Sequence, residues 1–302
     1  MKELIALASC DPMPFVVDDE VALVEALLAR GVEVVRPAWD ADFDWSGCAA
    51  VLIRTTWDYH TRAAEFVAWC ERAAAVTRLF HGPAIVRWNI DKRYLAALEE
   101  GGVRLAPTLW LMPGDPLPER LPAAFAGRAF MKPVVGANAF ATLRLEAGAD
   151  DAERRAAIEA FRREHPTLGF MLQPYLASVE VHGELSAIVI GGRVAHAIRK
   201  VPAAGDYRVQ EDWGARDEAY AMPDEEVALA ERAVARASAL VGEPLLYARV
   251  DFLRDADGQL VLNELEAIEP ALFLRHGPAT AGRLADALLA AAGLSTSGAG
   301  GG

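Results

Sequence analysis

Several hallmarks of common protein classes are missing from this sequence, and each absence narrows its function. Three cysteines occur in 302 residues, Cys10, Cys48 and Cys70, and none has the CxxC spacing of a zinc site or redox pair. No apolar run reaches the ~18 residues of a membrane span. The apolar run in the opening MKELIALASCDPMP is too short for a signal peptide. We therefore expect reduced structural thiols and a soluble, cytoplasmic protein with no membrane partner.

The best-known catalytic and nucleotide-binding motifs are also absent. The chain has neither the GxSxG of serine hydrolases nor the HExxH of zinc peptidases, and its six histidines show no ligand spacing. It lacks the GxxxxGK[ST] P-loop, and its one GxGxxG-like spacing is imperfect, which counts against an NAD-dependent dehydrogenase.

Charge and composition limit the partners. A formal net charge of -13 argues against nucleic acid, which binds an excess of Lys and Arg. The 53% hydrophobic and 24% charged residues are typical of a globular chain long enough for two or three packed domains. A local cationic pocket for a phosphate ligand remains compatible with this charge.

The first 85 or so residues alternate strand and helix patterns, which predicts βαβ units and a parallel sheet. Ligands collect at the carboxyl ends of such strands, where the segment RTTWDYH lies. It supplies the substrate candidates Arg54, Trp57, Asp58 and Tyr59. The alternative is a surface turn anchored by two aromatic side chains.

The rest of the chain divides into two further segments. Predicted strands include FMKP and 170–172, with helices over 92–100 and 151–164. Beyond Gln173, hairpins at Gly191–Gly192 and at DADG indicate a mostly antiparallel sheet, with helices over 223–241 and 279–292. The predicted domains are 1–86, 87–172 and 173–292, followed by a flexible tail, 293–302.

The stretch LVLNELEAIEP reads as a buried strand, yet it carries Glu264, Glu266 and Glu269. Side chains two apart share a strand face. If the DADG hairpin pairs residues of matching parity, Arg249 and Asp251 join Glu264 and Glu266 on one face. Crowded carboxylates repel unless a cation neutralises them, and hard oxygen ligands suit Mg²⁺ or Mn²⁺. The alternative is a solvated sheet face.

Magnesium held by a few carboxylates usually completes its coordination with water and substrate phosphates. Two lysines are candidates for the phosphates: Lys92, after RWNID, and Lys132, in FMKP ahead of a loop containing Gly136. Each alone would more often be a surface lysine. Beside the carboxylate hairpin, they favour a phosphate site.

The motifs RWNIDK, FMKP, LQPYL, GELS, IRKVP, GDYR, ARVDF and NELE occur in the order found in one family. Over about 89–289 the chain resembles the ATP-grasp ligases of the bacterial glutathione synthetase branch, and its βαβ start looks like their amino-terminal domain. The resemblance implies an α/β (α+β) fold with a parallel-sheet domain and two lobes that clasp ATP. A homodimer is also what it suggests.

The resemblance implies a role for each matching residue. Lys92 and Lys132 would contact the ATP phosphates, Gln173 and Tyr175 the adenine, and Glu184 the ribose. Lys200, Arg208 and Arg249 would serve the transferred phosphoryl group and the acyl phosphate. Asp251, Glu264 and Glu266 would hold two Mg²⁺ ions. Arg249 and Glu269 are also substrate-pocket candidates.

The sequence departs from glutathione synthetases at several points. The loop VVGANAF is poor in glycine, Ser186 replaces a cationic residue, and Glu266 replaces the usual asparagine. RTTWDYH, RWN, GDYR and NELEAIEP look closer to smaller ligases of the O-ureido-serine cyclo-ligase type. We therefore expect ATP to activate a small carboxylate as an acyl phosphate, which an amine or aminooxy nitrogen attacks. An intermolecular peptide or glutathione-type ligase and a non-catalytic ATP-binding regulator are the alternatives.

Overall fold

A computed structural model describes residues 3–11, 18–136, 141–203 and 214–294 of the chain. Its described strands form three sheets: two of four strands and one of five. In the described ranges, no helix is both long and apolar enough to cross a bilayer. The domain boundaries inferred from the sequence remain predictions.

The amino-terminal sheet is parallel, as the βαβ pattern predicted. Its strand order is β2-β1-β3-β4, and every residue of β3 is buried, as expected of an apolar strand covered on both faces. The strand β4 was not predicted. The elements are β1 Leu4–Ser9, α1 Asp18–Leu28, β2 Glu33–Val35, β3 Ala50–Thr55, α2 Ala63–Val76 and β4 Leu79–Phe80.

A second sheet is antiparallel, with the order β5-β8-β6-β7. Burial alternates along β6, so Phe130 and Lys132 share its more open face while their neighbours enter the core. Helix α5 begins with a capping box between Asp150 and Glu153. The elements are β5 Leu109–Leu111, β6 Ala129–Pro133, β7 Leu143–Leu145, α5 Asp151–Glu164 and β8 Phe170–Pro174.

The third sheet is antiparallel, as predicted, with the order β11-β10-β9-β12-β13. Two short helices that precede the second sheet in sequence, α3 Pro83–Asn89 and α4 Tyr94–Glu100, share a core with this sheet and α7. The remaining elements are α6 Ser178–His182, β9 Glu184–Ile190, β10 Arg193–Val201, β11 Arg216–Ala219, α7 Asp224–Val241, β12 Tyr247–Arg254, β13 Leu260–Glu266 and α8 Pro278–Ala292.

A second core joins the third sheet to the amino-terminal domain. Ile188 of β9 and Leu288 of α8 belong to the same buried cluster as Leu7 of β1. The sheet is therefore apolar on both sides where it meets its neighbours. The charged side chains of its carboxylate hairpin lie in the first part of β12 and the last part of β13. That placement positions the candidate site.

Candidate active site

The predicted parity of the carboxylate hairpin is confirmed. Arg249 pairs with Glu266 and Asp251 with Glu264 across β12 and β13, and a bulge follows Asp251. Residues directly opposite on paired strands project to the same face. Four ionic groups therefore share one face of the sheet.

Asp251 is the most enclosed of these acids. Arg249 donates to both of its oxygens at 2.9–3.0 Å, and the Ser186 hydroxyl donates to one at 2.6 Å. The ammonium of Lys200 lies 3.5 Å away. Burial disfavours the charged carboxylate, but the two cations outweigh it and lower the pKa of Asp251 to about 2. Asp251 therefore remains an anion.

Glu264 connects the hairpin to the segment ahead of α4. Its carboxylate lies 2.8 Å from the ammonium of Lys92, which also donates to the carbonyl of Gly136 at 3.1 Å. Burial raises and Lys92 lowers the pKa of Glu264, with a net lowering. The loop after β6 and the end of β13 therefore meet at one lysine.

Lys132 is in a different position. Desolvation lowers its pKa, against the attraction of Glu264, and no carboxylate of the described chain lies within ion-pair distance of it. A desolvated ammonium without a counter-ion is costly. An anion supplied by a ligand would remove that cost.

The opposite imbalance appears at Glu266 and Glu269. Burial is the main cause that raises the pKa of Glu266 to about 7, with Glu264 and Asp251 adding repulsion while Arg249 opposes it. Burial, followed by Glu266, raises the pKa of Glu269 to about 8. This end of the site carries a surplus of negative charge that a bound cation would relieve.

Glu184 and Lys200 form a buried pair at 2.8 Å. The second oxygen of Glu184 accepts a 2.7 Å hydrogen bond from the amide of Asn263. Glu184, expected at a ribose, is therefore held by protein partners on both oxygens. The expected adenine residues lie at the end of β8: Gln173 donates to the hydroxyl of Thr108 at 3.0 Å, and the Tyr175 hydroxyl donates to Glu180 at 2.6 Å.

The substrate candidates of RTTWDYH separate into two groups. Tyr59 hydrogen-bonds Glu269, three residues after the end of β13, and burial, followed by that carboxylate, raises the pKa of Tyr59. Trp57 lies beside it in the same turn, where its carbonyl contacts the ring of His60 at 2.8 Å.

Arg54 and Asp58 both have protein partners, and Arg54 is buried. Arg54 is 2% exposed, pairs with Glu20 at 2.9 Å and donates to the carbonyl of Pro270 at 3.2 Å. Asp58 accepts from the indole of Trp39 at 2.9 Å and pairs with Arg62. β3 places Arg54 against Glu20 of α1, and Asp58 pairs with Arg62 just ahead of α2. The assignment of both to the substrate pocket stays a prediction. Arg208 falls outside the described residues.

The metal prediction needs a correction of detail. Asp251, Glu264 and Glu266 share a face, but within the described ranges no three acidic, histidine or cysteine side chains surround a common point. The reason is that each carboxylate forms an ion pair within the protein: Asp251 and Glu266 with Arg249, and Glu264 with Lys92. The donor set still fits Mg²⁺, because its carboxylate oxygens are hard ligands and its surplus negative charge favours a divalent cation.

Sequence reasoning missed residues that fix the end of β13. The amide of Asn89 donates to the carbonyl of Leu265 at 2.8 Å and its oxygen accepts from the backbone of Ala267 at 2.7 Å. The Tyr94 hydroxyl accepts from the backbone of Leu265 at 2.9 Å. The signal was the asparagine within RWNIDK, a short polar side chain suited to pairing with both kinds of backbone group.

Comparison with known proteins places this geometry in a family. Residues 5–81 match the family model of the D-cycloserine synthetase DcsG N-terminal domain, and residues 123–260 that of the prokaryotic glutathione synthetase ATP-grasp domain. The cycloserine biosynthesis protein DcsG of Streptomyces lavendulae is 35% identical over 286 residues, covering 88% of this chain and 91% of that protein.

Solved structures agree over nearly the whole length. The crystal structure of D-cycloserine synthetase DcsG superposes with a TM-score of 0.81 at 30% identity, covering 96% of this chain and 99% of that one. An ATP complex of D-alanine–D-alanine ligase from Bacillus anthracis shares the fold, with a TM-score of 0.64 at 13% identity and coverage of 96% and 97%. The chain therefore belongs to the ATP-grasp ligases, enzymes that use ATP to join a carboxylate to an amine.

Proposed function

We propose that this ligase activates the carboxylate of a small amino-acid derivative as an acyl phosphate and closes it onto an aminooxy or amine nitrogen of the same molecule. The product is a cyclic amide, and ADP and phosphate are released. The 35% sequence identity to a protein of cycloserine biosynthesis, over most of both chains, supports a ring-closing reaction. So does the match of the amino-terminal domain to that of a D-cycloserine synthetase.

The observation that carries the proposal is the unbalanced charge between the second and third sheets. Lys132 of the second sheet has no ion pair among the described residues. Glu266, at the end of β13, and Glu269, just after it, repel each other, although Arg249 pairs with Glu266. A polyphosphate with a bound divalent cation would neutralise both groups. Its oxygens would pair with the ammonium of Lys132, and the cation would offset the charge of the carboxylates.

The chemistry requires positioning more than covalent help from the protein. A carboxylate oxygen of the substrate attacks the γ-phosphorus of ATP, and the bond to the β,γ-bridging oxygen breaks to leave ADP. The nitrogen then attacks the acyl carbon, and the carbon–oxygen bond to phosphate breaks. The nitrogen loses its proton to solvent or to the departing phosphate.

The chain's cations would stabilise charge along this path. Lys132 and Lys92 would bind ATP phosphates, while Lys200 and Arg249 would face the transferred phosphoryl group and the oxyanion of the tetrahedral intermediate. Magnesium would neutralise phosphate charge and orient the γ-phosphoryl group. Asp251, Glu264 and Glu266 are the residues that would hold it, with Lys92 and Arg249 turning from their carboxylates to phosphate oxygens.

The amino-terminal domain would supply the substrate side. Tyr59 brings its hydroxyl to Glu269 across the junction between the parallel sheet and the hairpin. A cationic or hydrogen-bonding amino group of the substrate would be attracted to this pair. Trp57, in the same turn, would limit the size of the substrate.

The test is a phosphate-release assay with Mg²⁺ and ATP, followed by product mass. The compounds are both enantiomers of O-ureidoserine, each supplied alone, and a panel of amino acids supplied in pairs. Phosphate release from a single compound, with a cyclic product, is expected. Turnover only in the presence of a second amine would replace ring closure with intermolecular ligation. Binding of ATP without hydrolysis across the whole panel would favour a regulatory protein.

A further inference from the structure

The loop after the carboxylate strand contains a residue in an unusual backbone conformation. Phe273 has φ 49° and ψ 45° and is 8% exposed. Left-handed backbone is unfavourable for a bulky L residue, and such outliers concentrate at functional sites. The surrounding contacts must therefore hold this residue in place.

Those contacts come from β10 and the start of α8. The carbonyl of Phe273 accepts from the backbone of His276 at 3.0 Å and from Nε2 of His196 at 3.1 Å. With Nε2 protonated, Nδ1 of His196 accepts from the hydroxyl of Thr280 at 2.8 Å. The absence of a side chain at Gly277 leaves space for the imidazole of His196, since a Cβ there would lie 2.3 Å from Nδ1 of that ring.

The ring of Phe273 is surrounded by cations. Its centroid lies 5.7 Å from the ammonium of Lys200, 5.9 Å from the guanidinium carbon of Arg249 and 5.2 Å from that of Arg275. Arg275 is also paired with Asp217 on β11. Because His196 and Lys200 lie on the same face of β10, this strand holds both the backbone of Phe273 and a cation at its ring.

Lys200 and Arg249 are buried like charges, and their repulsion opposes a shared position. Asp251 offsets this repulsion, since it accepts from Arg249 at 2.9–3.0 Å and lies 3.5 Å from Lys200, but a carboxylate also competes with phosphate for the two cations. An aromatic face attracts cations through its quadrupole and carries no net charge. The ring of Phe273 therefore adds to the attraction of Asp251 for the two cations without competing with a phosphate anion for them.

We propose that Phe273 is a positioning residue that acts with Asp251 to hold Lys200 and Arg249 at the site of the transferred phosphoryl group. The inference rests on the proposed function for the role of these two cations. The inference goes beyond the proposed function because it assigns a role to the ring of Phe273. It also assigns a role to His196, which hydrogen-bonds Thr280 and holds the backbone of Phe273 in place.

The experiment replaces Phe273 with phenylalanines that carry one, two or three ring fluorines. Fluorine withdraws electron density from the ring and so weakens its attraction for cations, with little change in the shape of the side chain. Phe125, which is 2% exposed in a separate core, receives the same series as the control. Two quantities are measured: the dissociation constants of AMPPNP and ADP, and kcat with the ring-closing substrate. The nucleotide measurement needs no acid substrate.

We expect AMPPNP to bind progressively more weakly across the series at Phe273, by about tenfold at three fluorines, with ADP affinity and the Phe125 series unchanged. The kcat falls in parallel, while thermal stability stays constant. Equal AMPPNP affinities across the Phe273 series would overturn the proposal. A declining AMPPNP series with no turnover of any candidate substrate would support the positioning role and contradict the proposed reaction.

Discussion

The ammonium of Lys92 lies 2.8 Å from the carboxylate of Glu264 and 3.1 Å from the carbonyl of Gly136. One side chain therefore connects the segment ahead of α4, the loop after β6 and the carboxylate hairpin. In the proposed function Lys92 would also bind an ATP phosphate and Glu264 a magnesium ion, so ligand binding should reorganise this contact.

Lys132 gives the sharpest prediction for ATP. Lys132→Met removes a desolvated ammonium that has no ion pair among the described residues, so the folded protein should be as stable as the wild type or more so. Turnover should fall by ~10² to 10³, because an oriented charge stabiliser is lost. Thermal unfolding and phosphate release measure the two effects. The control is Arg104→Met, at a surface ion pair with Asp255, which should keep wild-type turnover. Phosphate release near the wild-type rate from Lys132→Met would count against an ATP-phosphate site at Lys132.

Glu264 gives the prediction for magnesium. Glu264→Gln keeps the shape of the side chain but removes a charge that a hard cation needs, so turnover should be lost by ~10² or more. Part of the lost rate should return as the Mg²⁺ concentration is raised. The rate is measured over a Mg²⁺ titration, with Glu100→Gln at the exposed end of α4 as the control. An unchanged Mg²⁺ dependence in Glu264→Gln would remove this residue from the metal site.

Arg54 and Glu20 give a prediction for stability. Both side chains are nearly fully buried, at 2% and 1% exposure. Arg54→Met leaves Glu20 as a buried, unpaired charge and should lower the free energy of unfolding by about 3–5 kcal/mol. The double variant with Glu20→Gln should lose less than the sum of the single losses, as measured by urea unfolding. A change confined to KM for the acid substrate, with wild-type stability, would instead support the predicted role of Arg54 in the substrate pocket.

His81 gives a prediction for pH. Its buried ring stacks on Tyr247 at 3.9 Å, accepts from the backbone of Leu246 at 3.0 Å and donates to the carbonyl of Ala267. Burial lowers the pKa of His81 to about 4. In the unfolded chain the imidazole has its ordinary pKa of 6.5 and therefore binds a proton at higher pH than the folded chain does. The stability contribution of neutral His81 is thus complete above pH 6.5 and is lost as the pH falls toward 4.

Between pH 7.5 and pH 5.0 the His81 contribution should fall by about 2 kcal/mol. His81→Asn removes it, and asparagine tolerates the positive φ of 59° at this position. The variant should therefore be less stable at pH 7.5 but show a smaller difference between the two pH values in urea unfolding. His182→Asn, on an exposed ring, should keep the wild-type difference. Equal differences in His81→Asn and the wild type would contradict a buried, neutral imidazole.

Regular patterns made much of this architecture predictable. The period of two in ARVDF and NELE predicted which charges share a face, and the register confirms it. Alternation of strands and helices predicted the parallel sheet. A further signal was the scarcity of lysine: the chain has four, and Lys92, Lys132 and Lys200 all lie at the candidate site.

Contacts between distant segments were not predictable in the same way. Nothing local to Arg54 indicates its pairing with Glu20, and nothing near Asp58 shows that it faces Trp39. The left-handed backbone of Phe273 depends on His196, which is far away in sequence. Such pairings depend on how sheets pack, which a single sequence period does not encode.

The transfer of labelled oxygen tests the central claim most directly. A substrate labelled with ¹⁸O at both carboxylate oxygens is turned over with Mg²⁺ and unlabelled ATP, and the released phosphate is examined by ³¹P NMR. Attack of that carboxylate on the γ-phosphorus, followed by loss of phosphate from the acyl carbon, predicts one ¹⁸O in every phosphate formed. Phosphate free of label, released together with amide product, would contradict the acyl-phosphate account.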